Sequence, residues 1–574
     1  MKTIKYLFVV AAIACAAVCA NAQNLVSVAK YGPYNNLSIQ VSQIDSMIVD
    51  AEGNIVVTLL DKSYTTIRDY QRLYIGEESA GGESMNIIRW MVNSDRDLGS
   101  NAFLNLYHYA VTEMPEADLT LFLPSDNAFK YTYDPISFSL NNYARVMRIL
   151  YNGKSNFPFV NGNTKTLNED GITWYVLANY DVNTGLIGRN QTFFGVGQTD
   201  LINRMRSMLL NHCIFNTSGN SIESGSNEYF KTIGGAPVKV VRENGKVVKV
   251  LGGFQLENER EIQDATSASQ GVMYCNVTDE QSMANGQSYI LDSPIIPASR
   301  SVWSLLANVP RGFRGSQQSE AEGAAENNPY QKFYELCDHT GINVDEVIKK
   351  SGLVDESKYT NTSQLNAAIA RYSIFTDDNG VDYNLSFLKS GDFTLFVPSN
   401  EAVTKAVNEG LPTWEDIMDD YENCEKDGDG KMIFQQDSIR IQAKIIALNT
   451  FVKSHFMFGT AFADQETVGW DRGRCPIVFA DGHKNFIGVD YKGNGKMEVE
   501  GCNWYGSRIW ANVIDEVNGR QVKNIFVSEY RCSSKVKNTN SLNGITINSQ
   551  SYGTVHLIDG ILNDDFKQLY QYQY

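Results

Sequence analysis

The alternation of apolar and polar residues divides the chain into segments of different character. Residues 24–76 have a period of two, as in SIQVSQIDSMIVDAEGNIVVTLLDKSYTTI, which predicts short β-strands around a turn at Glu52, Gly53 and Asn54. A glycine-rich break comes next, at residues 76–84. Because isolated hairpins are seldom stable, we expect this small β-rich segment, residues 23–80, to pack on the next part of the chain or to act as a spacer.

Two longer pieces come next, residues 85–310 and 329–564. The segment between them, residues 311–328, reads RGFRGSQQSEAEGAAENN and is typical of an exposed linker. A short tail, residues 565–574, ends the chain.

Each long piece starts with a helical pattern and ends with strand patterns. The helices are predicted in NAFLNLYHYAV from Asn101 and in PYQKFYELCDHTGI from Pro329 to about Gly341. The later strands turn at Asn-Gly pairs, at residues 244–245 and 494–495, which are strong hairpin signals. Helices first and strands later predict an α+β fold for each piece.

The two pieces repeat each other in three places and in the same order. Residues 120–129 read TLFLPSDNAF and residues 394–403 read TLFVPSNEAV. MLLNHCIF is matched by KSHFMF, and NGQSYILDSPI is matched by YGTVHLIDGIL. An internal repeat of this kind predicts two copies of one domain.

The first repeated box has a clear physical interpretation. Its apolar letters predict a short buried strand, which Pro124 and Pro398 should end because proline has no N–H for the ladder. Ser125 and Ser399 stand where a hydroxyl would cap a following helix. The box therefore predicts a strand-to-helix corner, and nothing in it is catalytic.

The three repeated motifs resemble those of the fasciclin domain. The first box is similar to the family's TxFAPTNxAF, LLNHCI to its "LxxHhV" box, and GTVHLIDGIL to its terminal "GxhHhIDxVL" strand, where h is apolar. The first copy has Tyr289 where the second has His556. Both copies are longer than the usual domain, which implies insertions at residues 131–197 and 414–437.

This resemblance implies two tandem wedges of strands and helices used outside the cell for adhesion. The residues that carry it are taken as structural family-motif positions: Thr120, Pro124, Ser125, Asn127, Phe129, His212, Asp292, Thr394, Pro398, Ser399, Asn400, His455, His556 and Asp559. The segment VSQIDSMIV also resembles a short signature near the N-termini of exported proteins of the Bacteroides group.

The N-terminus predicts export. Residues 1–22 combine a positive start, an apolar stretch too short to span a bilayer and a small-x-small cleavage signal, so we expect the mature chain to begin at Gln23. Acylation at Cys15 or Cys19 is a weaker alternative because neither has a Leu three positions earlier. No later apolar run approaches membrane-spanning length, so the predicted location is the cell surface, the outer membrane, the periplasm or the medium.

Composition excludes some partners. The chain has 66 Asp and Glu against 49 Lys and Arg, a net charge of −17, which repels phosphate backbones and anionic lipid and argues against nucleic-acid binding. Seven cysteines remain after cleavage at residue 22. One or two bridges among Cys424, Cys475, Cys502 and Cys532 are one alternative, and buried free thiols are the other.

The residues that could do chemistry give no catalytic pattern. The six histidines form no metal motif, and His212 and His455 are interpreted as buried, hydrogen-bonded side chains. Asp292 and Asp559 are interpreted as acceptors of backbone N–H groups at a turn. EKDGDG at residues 425–430 resembles a calcium loop, but Gln436 stands where a bidentate Glu is needed, so a solvated turn is predicted.

We therefore predict a non-enzymatic adhesion or binding protein without cofactor or metal, whose partners are extracellular proteins or glycans. Self-association is left open. The alternative is a carbohydrate-binding accessory protein of a glycan-uptake system that uses aromatic loops in the two insertions. A glycoside hydrolase ranks third, because 66 acidic residues offer endless pairs and no motif selects one.

Overall fold

The computed structural model describes residues 24–29, 37–68, 70–76, 118–125, 128, 132–138, 143–151, 172–181, 207–217, 219–222, 227–256, 275–298, 300–308, 328–338, 344–377, 383–478, 484–532 and 547–569. In these ranges the chain is a mixture of helices and many small sheets. The predicted signal peptide, nearly all of the predicted linker, the predicted helix from Asn101, Asn127 and Phe129 lie outside them. In the described part of the chain, no helix combines the length and apolar character needed to span a membrane.

The strands are β1 (Asn24–Ala29), β2 (Leu37–Gln40), β3 (Ile44–Val49), β4 (Ile55–Leu59), β5 (Tyr64–Ile67), β6 (Tyr70–Gly76), β7 (Leu119–Pro124), β8 (Thr132–Phe138), β9 (Tyr143–Tyr151), β10 (Ile172–Asp181), β11 (Cys213–Phe215), β12 (Tyr229–Lys231), β13 (Pro237–Glu243), β14 (Lys246–Leu251), β15 (Val277–Met283), β16 (Gly286–Leu291), β17 (Phe375–Asp377), β18 (Tyr383–Leu385), β19 (Gly391–Pro398), β20 (Phe456–Phe458), β21 (Gly469–Val478), β22 (Lys484–Gly493), β23 (Lys496–Cys502), β24 (Arg508–Asn512), β25 (Glu516–Val517), β26 (Arg520–Gln521), β27 (Ile525–Cys532) and β28 (Ile547–Ile558). The α-helices are α1 (Val302–Leu306), α2 (Gln331–Cys337), α3 (Val344–Lys350), α4 (Thr362–Ile369), α5 (Asn400–Asn408), α6 (Trp414–Asn423), α7 (Gln435–Lys453) and α8 (Phe566–Leu569).

The N-terminal segment forms two small antiparallel sheets, as its alternation predicts. Their strand orders are β2-β1-β6 and β3-β4-β5, and apolar side chains from both sheets pack into one cluster. At the predicted turn, the carboxylate of Asp50 accepts hydrogen bonds from the backbone N–H groups of Glu52 and Asn54. Gly53 has a φ of 91°, a conformation that glycine adopts without strain.

Two four-stranded sheets have the same arrangement in the two halves of the chain. The first has the order β11-β7-β16-β15 and the second β20-β19-β28-β27. In each, the strand of the first repeated box lies parallel to the terminal strand, while the outer pairs are antiparallel. The register repeats too, because Gly286 lies opposite Leu119 and Gly553 lies opposite Phe393. The sequence repeat is therefore also a structural repeat.

The strand-to-helix corner has the predicted form in the second copy. Pro124 and Pro398 are the last residues of β7 and β19. Ser399 then caps α5, with its Oγ accepting a hydrogen bond from the Ala402 N–H at 3.2 Å. In the first copy, Ser125 occupies the same corner, but the predicted hydroxyl cap is wrong for the described residues: its buried Oγ has no hydrogen-bond partner there, and its backbone carbonyl accepts from the Ala128 N–H instead.

Both predicted Asn-Gly hairpins are present. β13 pairs with β14 and β22 pairs with β23, each antiparallel. Asn244 and Asn494 both have a φ of 52°, and Gly245 and Gly495 have φ values of 79° and 71°. Positive φ at both central residues is the requirement of the tight turn that matches strand twist. The second hairpin is the middle of a larger sheet with the order β21-β22-β23-β24.

A large apolar cluster fills the second half between its helices and the sheet of β19 and β28. Helix α2 starts at Gln331, two residues after Pro329, and ends at Cys337, before Gly341. Helix α1 is buried in this cluster although it precedes the predicted linker. Glu529 accounts for that position, because its Oε1 accepts from the Val302 N–H at 2.9 Å and its Oε2 from the Leu385 N–H at 3.0 Å.

The two halves contact each other through buried aromatic side chains. The ring of Tyr229 on β12 stacks on Phe462, with 6.0 Å between centroids, and meets Phe526 edge-on. Lys231 at the end of the same strand forms an ion pair with Asp392 at 2.6 Å. Because apolar surface from both halves is removed from water here, the contact contributes to stability.

Both predicted insertions contain regular structure in their described parts. Strands β8, β9 and β10 form a three-stranded antiparallel sheet within residues 131–197. Residues 414–437 contain α6, a small hairpin and the start of α7. Thr413 and Asp416 form a reciprocal capping box at the start of α6.

The six cysteines whose side chains the structure describes are free thiols: Cys213, Cys275, Cys337, Cys424, Cys475 and Cys502. Cys275 illustrates their state, since its Sγ donates to the Ser293 carbonyl and burial raises its pKa well above the usual value. For these six residues, the predicted alternative of free thiols is confirmed.

Candidate binding surface

Two of the three motif histidines, His212 and His455, hold equivalent positions in which both ring nitrogens are hydrogen-bonded. Nδ1 of His212 lies 2.7 Å from the Met208 carbonyl, and its Nε2 accepts from the Ile295 N–H at 2.8 Å. In the second copy, Nδ1 of His455 lies 2.8 Å from the Phe451 carbonyl, and its Nε2 accepts from the Leu562 N–H at 3.0 Å. A carbonyl only accepts and an N–H only donates, so each ring is the neutral tautomer with its proton on Nδ1.

Burial favours that neutral form strongly. It lowers the pKa of His212 and of His455 to about 4, because both rings are removed from water. His556 behaves in the same way, with a pKa of about 4, although its tautomer is reversed. Its Nε2 donates to the Ala461 carbonyl and its Nδ1 accepts from the Asn524 N–H. These rings connect segments of the fold and have no nitrogen free for a metal or substrate.

The two motif aspartates make identical contacts. Oδ1 of Asp292 accepts from the backbone N–H of Asn276 and Oδ2 from its side-chain amide, both at 2.8 Å. Asp559 accepts in the same way from Asn512, at 2.7 and 2.8 Å. Each carboxylate thus joins the end of a terminal strand to a segment 16 or 47 residues away along the chain, instead of closing a local turn.

Three further motif residues, Thr120, Thr394 and Asn400, also take part in local structure. The Thr394 hydroxyl donates to the Gly459 carbonyl, and the Thr120 hydroxyl donates to Asn216. The side chain of Asn400 accepts from the Lys332 N–H and donates to the Asn328 carbonyl, which ties α5 to the start of α2. These contacts give the motif a role in joining segments of the fold.

The EKDGDG segment is an exposed turn. Oδ1 of Asp427 accepts from the N–H groups of Asp429 and Lys431, at 2.9 and 2.8 Å. Across the described ranges, no group of three or more His, Cys, Asp or Glu side chains is arranged to hold a metal ion.

A groove of about 640 Å³ lies between α2 and α5. Its lining consists of polar and charged side chains, among them Lys332, Glu401 and Lys405. It contains no aromatic side chain and no buried charged group, so it offers little to orient a ligand.

The surface with the most binding character is the outer face of the sheet β21-β22-β23-β24, which we call the Trp face. Its inner side packs in an apolar cluster through residues such as Ile487 and Val499. On alternate positions the opposite side presents Trp470, Arg472, Arg474, Lys484, Phe486, Gly488, Asp490, Lys492, Lys496, Glu498, Glu500, Arg508, Trp510 and Asn512.

Two tryptophans dominate this face although they come from its opposite edge strands. Trp470 on β21 is 57% exposed and Trp510 on β24 is 45% exposed, yet their rings meet edge to face with 5.6 Å between centroids. Gly488 makes the approach geometrically feasible. A β-carbon at Gly488 would lie 2.7 Å from Cζ3 of Trp470, so the indole lies across the position where another residue would have a side chain.

The charges around the tryptophans divide into paired and unpaired groups. Arg508 forms an ion pair with Glu500 at 3.0 Å, and Lys492 with Asp490 and Glu498 at 2.6 and 2.8 Å. Arg472 and Arg474 are exposed and contact aromatic rings instead, those of Phe486 and Phe458. Among the described residues, neither of these two guanidiniums forms an ion pair with a carboxylate.

Sequence reasoning did not identify the Trp face. Alternation in β21 to β24 predicts an exposed side for each strand, whereas the sequence predicts the sugar-binding aromatic residues in the insertions. The contact between residues 470 and 510 depends on the order of four strands. Outward tryptophans on the first and last of four successive strands, with an outward glycine on a strand between them, are the signal that could have found it.

Comparison with known proteins finds similarity at the level of structure. No family model matches the chain, and no curated protein matches it. A solved structure of a FAS1 domain pair from the insect cell adhesion molecule fasciclin I is similar, with 13% sequence identity over 83% of this chain and 96% of that one. The TM-score is 0.19, so the similarity does not establish a shared overall fold.

Proposed function

We propose that this chain is an exported, non-catalytic binding protein of the adhesion type, built from two fasciclin-like units and acting at the cell surface or outside the cell. The observation that carries the proposal is the Trp face, a solvent-exposed surface with two large aromatic side chains. Tryptophan and arginine are the residues most enriched at the centres of binding interfaces.

The state of the motif residues supports a role without catalysis. A general acid or base needs a pKa near the working pH and access to substrate. His212, His455 and His556 have pKa values of about 4 and are buried with both ring nitrogens engaged. Both carboxylate oxygens of Asp292 and of Asp559 accept hydrogen bonds from backbone and side-chain amide N–H groups.

Binding of the mature chain, residues 23–574, to cells, to immobilised matrix proteins and to a glycan array tests the proposal. We expect saturable binding to at least one of these, reduced by Trp470→Ala. Turnover of a glycoside substrate that a single carboxylate substitution abolishes would instead make the chain an enzyme and refute the proposal.

The carbohydrate-binding accessory role is the second candidate, and the Trp face favours it. Indole rings stack on the C–H faces of sugar rings, and the surrounding carboxylates and amides can bond hydroxyl groups. Retention of glycans with no binding to cells or proteins would select this second function over adhesion.

A further inference from the structure

The Trp face differs in charge from the chain as a whole. Its outward positions carry six cationic side chains, Arg472, Arg474, Lys484, Lys492, Lys496 and Arg508, against the three carboxylates of Asp490, Glu498 and Glu500. The whole chain has a net charge of −17. An excess of positive charge on a strongly acidic protein concentrates anionic ligands locally at this surface.

The two guanidiniums of this face that form no ion pair among the described residues, those of Arg472 and Arg474, lie on the same strand as Trp470. The three carboxylates already form ion pairs with Lys492 and Arg508. Arg472 lies over the Phe486 ring, with its guanidinium carbon 4.5 Å from the centroid, an arrangement that holds its planar group in place. A guanidinium fixed in this way can bind a carboxylate or sulfate with two parallel N–H groups.

We propose that the Trp face binds an acidic polysaccharide, with Trp470 and Trp510 stacking on sugar rings and Arg472 and Arg474 bonding carboxylate or sulfate groups of the same chain. This inference rests on the proposed function, since it names the class of partner that one surface of the binding protein recognises.

The dimensions of the face favour a polysaccharide over a folded protein. Three strand spacings of about 4.8 Å give a width of about 14 Å. The five residues of β24, the shortest of the four strands, give a length of about 17 Å. The resulting area, about 240 Å², is far below the roughly 800 Å² per partner of a stable protein interface. A narrow polymer can be held on such a strip, because each sugar ring needs only one aromatic platform.

The test is affinity electrophoresis and calorimetry of residues 23–574 with polygalacturonate, alginate and heparin. Neutral xylan and dextran are compared, and polyglutamate is the anion without sugar. We expect binding of at least one acidic polysaccharide, weakened at least tenfold by Trp470→Ala and by Trp510→Ala. Arg472→Ala should reduce the preference for acidic over neutral polymers at least fivefold, and the affinity should fall with added salt.

Three further variants separate binding from folding. Gly488→Ala keeps both indoles but displaces Trp470, so it should weaken binding while leaving thermal unfolding nearly unchanged, because the clash is with the far end of a side chain. Tyr64→Ala removes an aromatic that is 73% exposed on the N-terminal segment, and Arg371→Ala removes an exposed arginine elsewhere. Both controls should bind like the wild type.

The outcomes distinguish this inference from the proposed function. Equal affinity for neutral and acidic polymers, an unchanged Arg472→Ala variant or equal binding of polyglutamate overturns the acidic-polysaccharide assignment. Glycan binding that survives both tryptophan substitutions overturns the assignment to this face. Binding to cells or a matrix protein without any glycan overturns the inference and leaves the proposed function standing, whereas no binding to any of these overturns both.

Discussion

His455 should make the stability of the fold depend on pH, and the variant His455→Leu should show how large its contribution to the free energy of unfolding is. Its Nδ1 donates to the Phe451 carbonyl and its Nε2 accepts from the Leu562 N–H, so only the neutral ring fits. Burial lowers its folded-state pKa from 6.5 to about 4. Between these values the unfolded chain binds the extra proton, so the stabilisation is fully present above pH 6.5 and is lost as the pH falls toward 4.

The magnitude follows from the shift in pKa. With values of 6.5 unfolded and about 4 folded, proton linkage reduces the free energy of unfolding by about 2 kcal/mol between pH 7 and pH 5. The variant His455→Leu cannot titrate. At pH 7 it leaves the Leu562 N–H unsatisfied and loses a second hydrogen bond, at a total cost of about 3 kcal/mol. The destabilisation by His455→Leu should therefore shrink from about 3 kcal/mol at pH 7 to about 1 kcal/mol at pH 5.

Urea unfolding at pH 5, 6 and 7, followed by tryptophan fluorescence, measures this difference. Urea is uncharged and keeps the ionic strength constant. At each pH, the free energy of unfolding of His455→Leu is compared with that of the wild type. Ser399→Ala is the matched control, because it removes an uncharged helix cap in the same half and its effect should not depend on pH. A penalty for His455→Leu that is the same at pH 5 and pH 7 would refute the reasoning.

Three further predictions concern stability. Gly501→Ala places a β-carbon 2.1 Å from the Leu562 carbonyl oxygen and should lower the melting temperature by many degrees. Gly469→Ala, whose β-carbon would have no atom within 4 Å, should change the melting temperature little. Equal melting temperatures of the two variants in calorimetry would contradict this. Glu529→Ala leaves two buried N–H groups without their carboxylate and should cost about 2–5 kcal/mol in urea unfolding, so a loss below 1 kcal/mol would be evidence against that role. Ser399→Ala should cost about 1 kcal/mol and reduce helical circular dichroism slightly, and a gain in stability would exclude the cap.

Local chemistry was predictable where the cause lies within a few residues. The prolines end their strands because they lack an N–H, and Asn-Gly pairs turn their hairpins because both residues tolerate positive φ. Asp292 and Asp559 do accept backbone N–H groups, but those of Asn276 and Asn512, which lie 16 and 47 residues away along the chain, so these contacts depend on the tertiary structure and not on a local turn. The neutral state of His212 and His455 required the structure, since only the geometry identifies their donors and acceptors.

The sequence by itself determined the strands, the turns and the fact of an internal repeat, because these depend on alternation, backbone preferences and comparison of the chain with itself. The tertiary structure decided which strands are neighbours. The pairing of β19 with β28 and the packing of α1 into the second half join distant segments, and no local pattern encodes such partners. The Trp face has the same origin, since Trp470 meets Trp510 only because two strands and the bare surface of Gly488 lie between them.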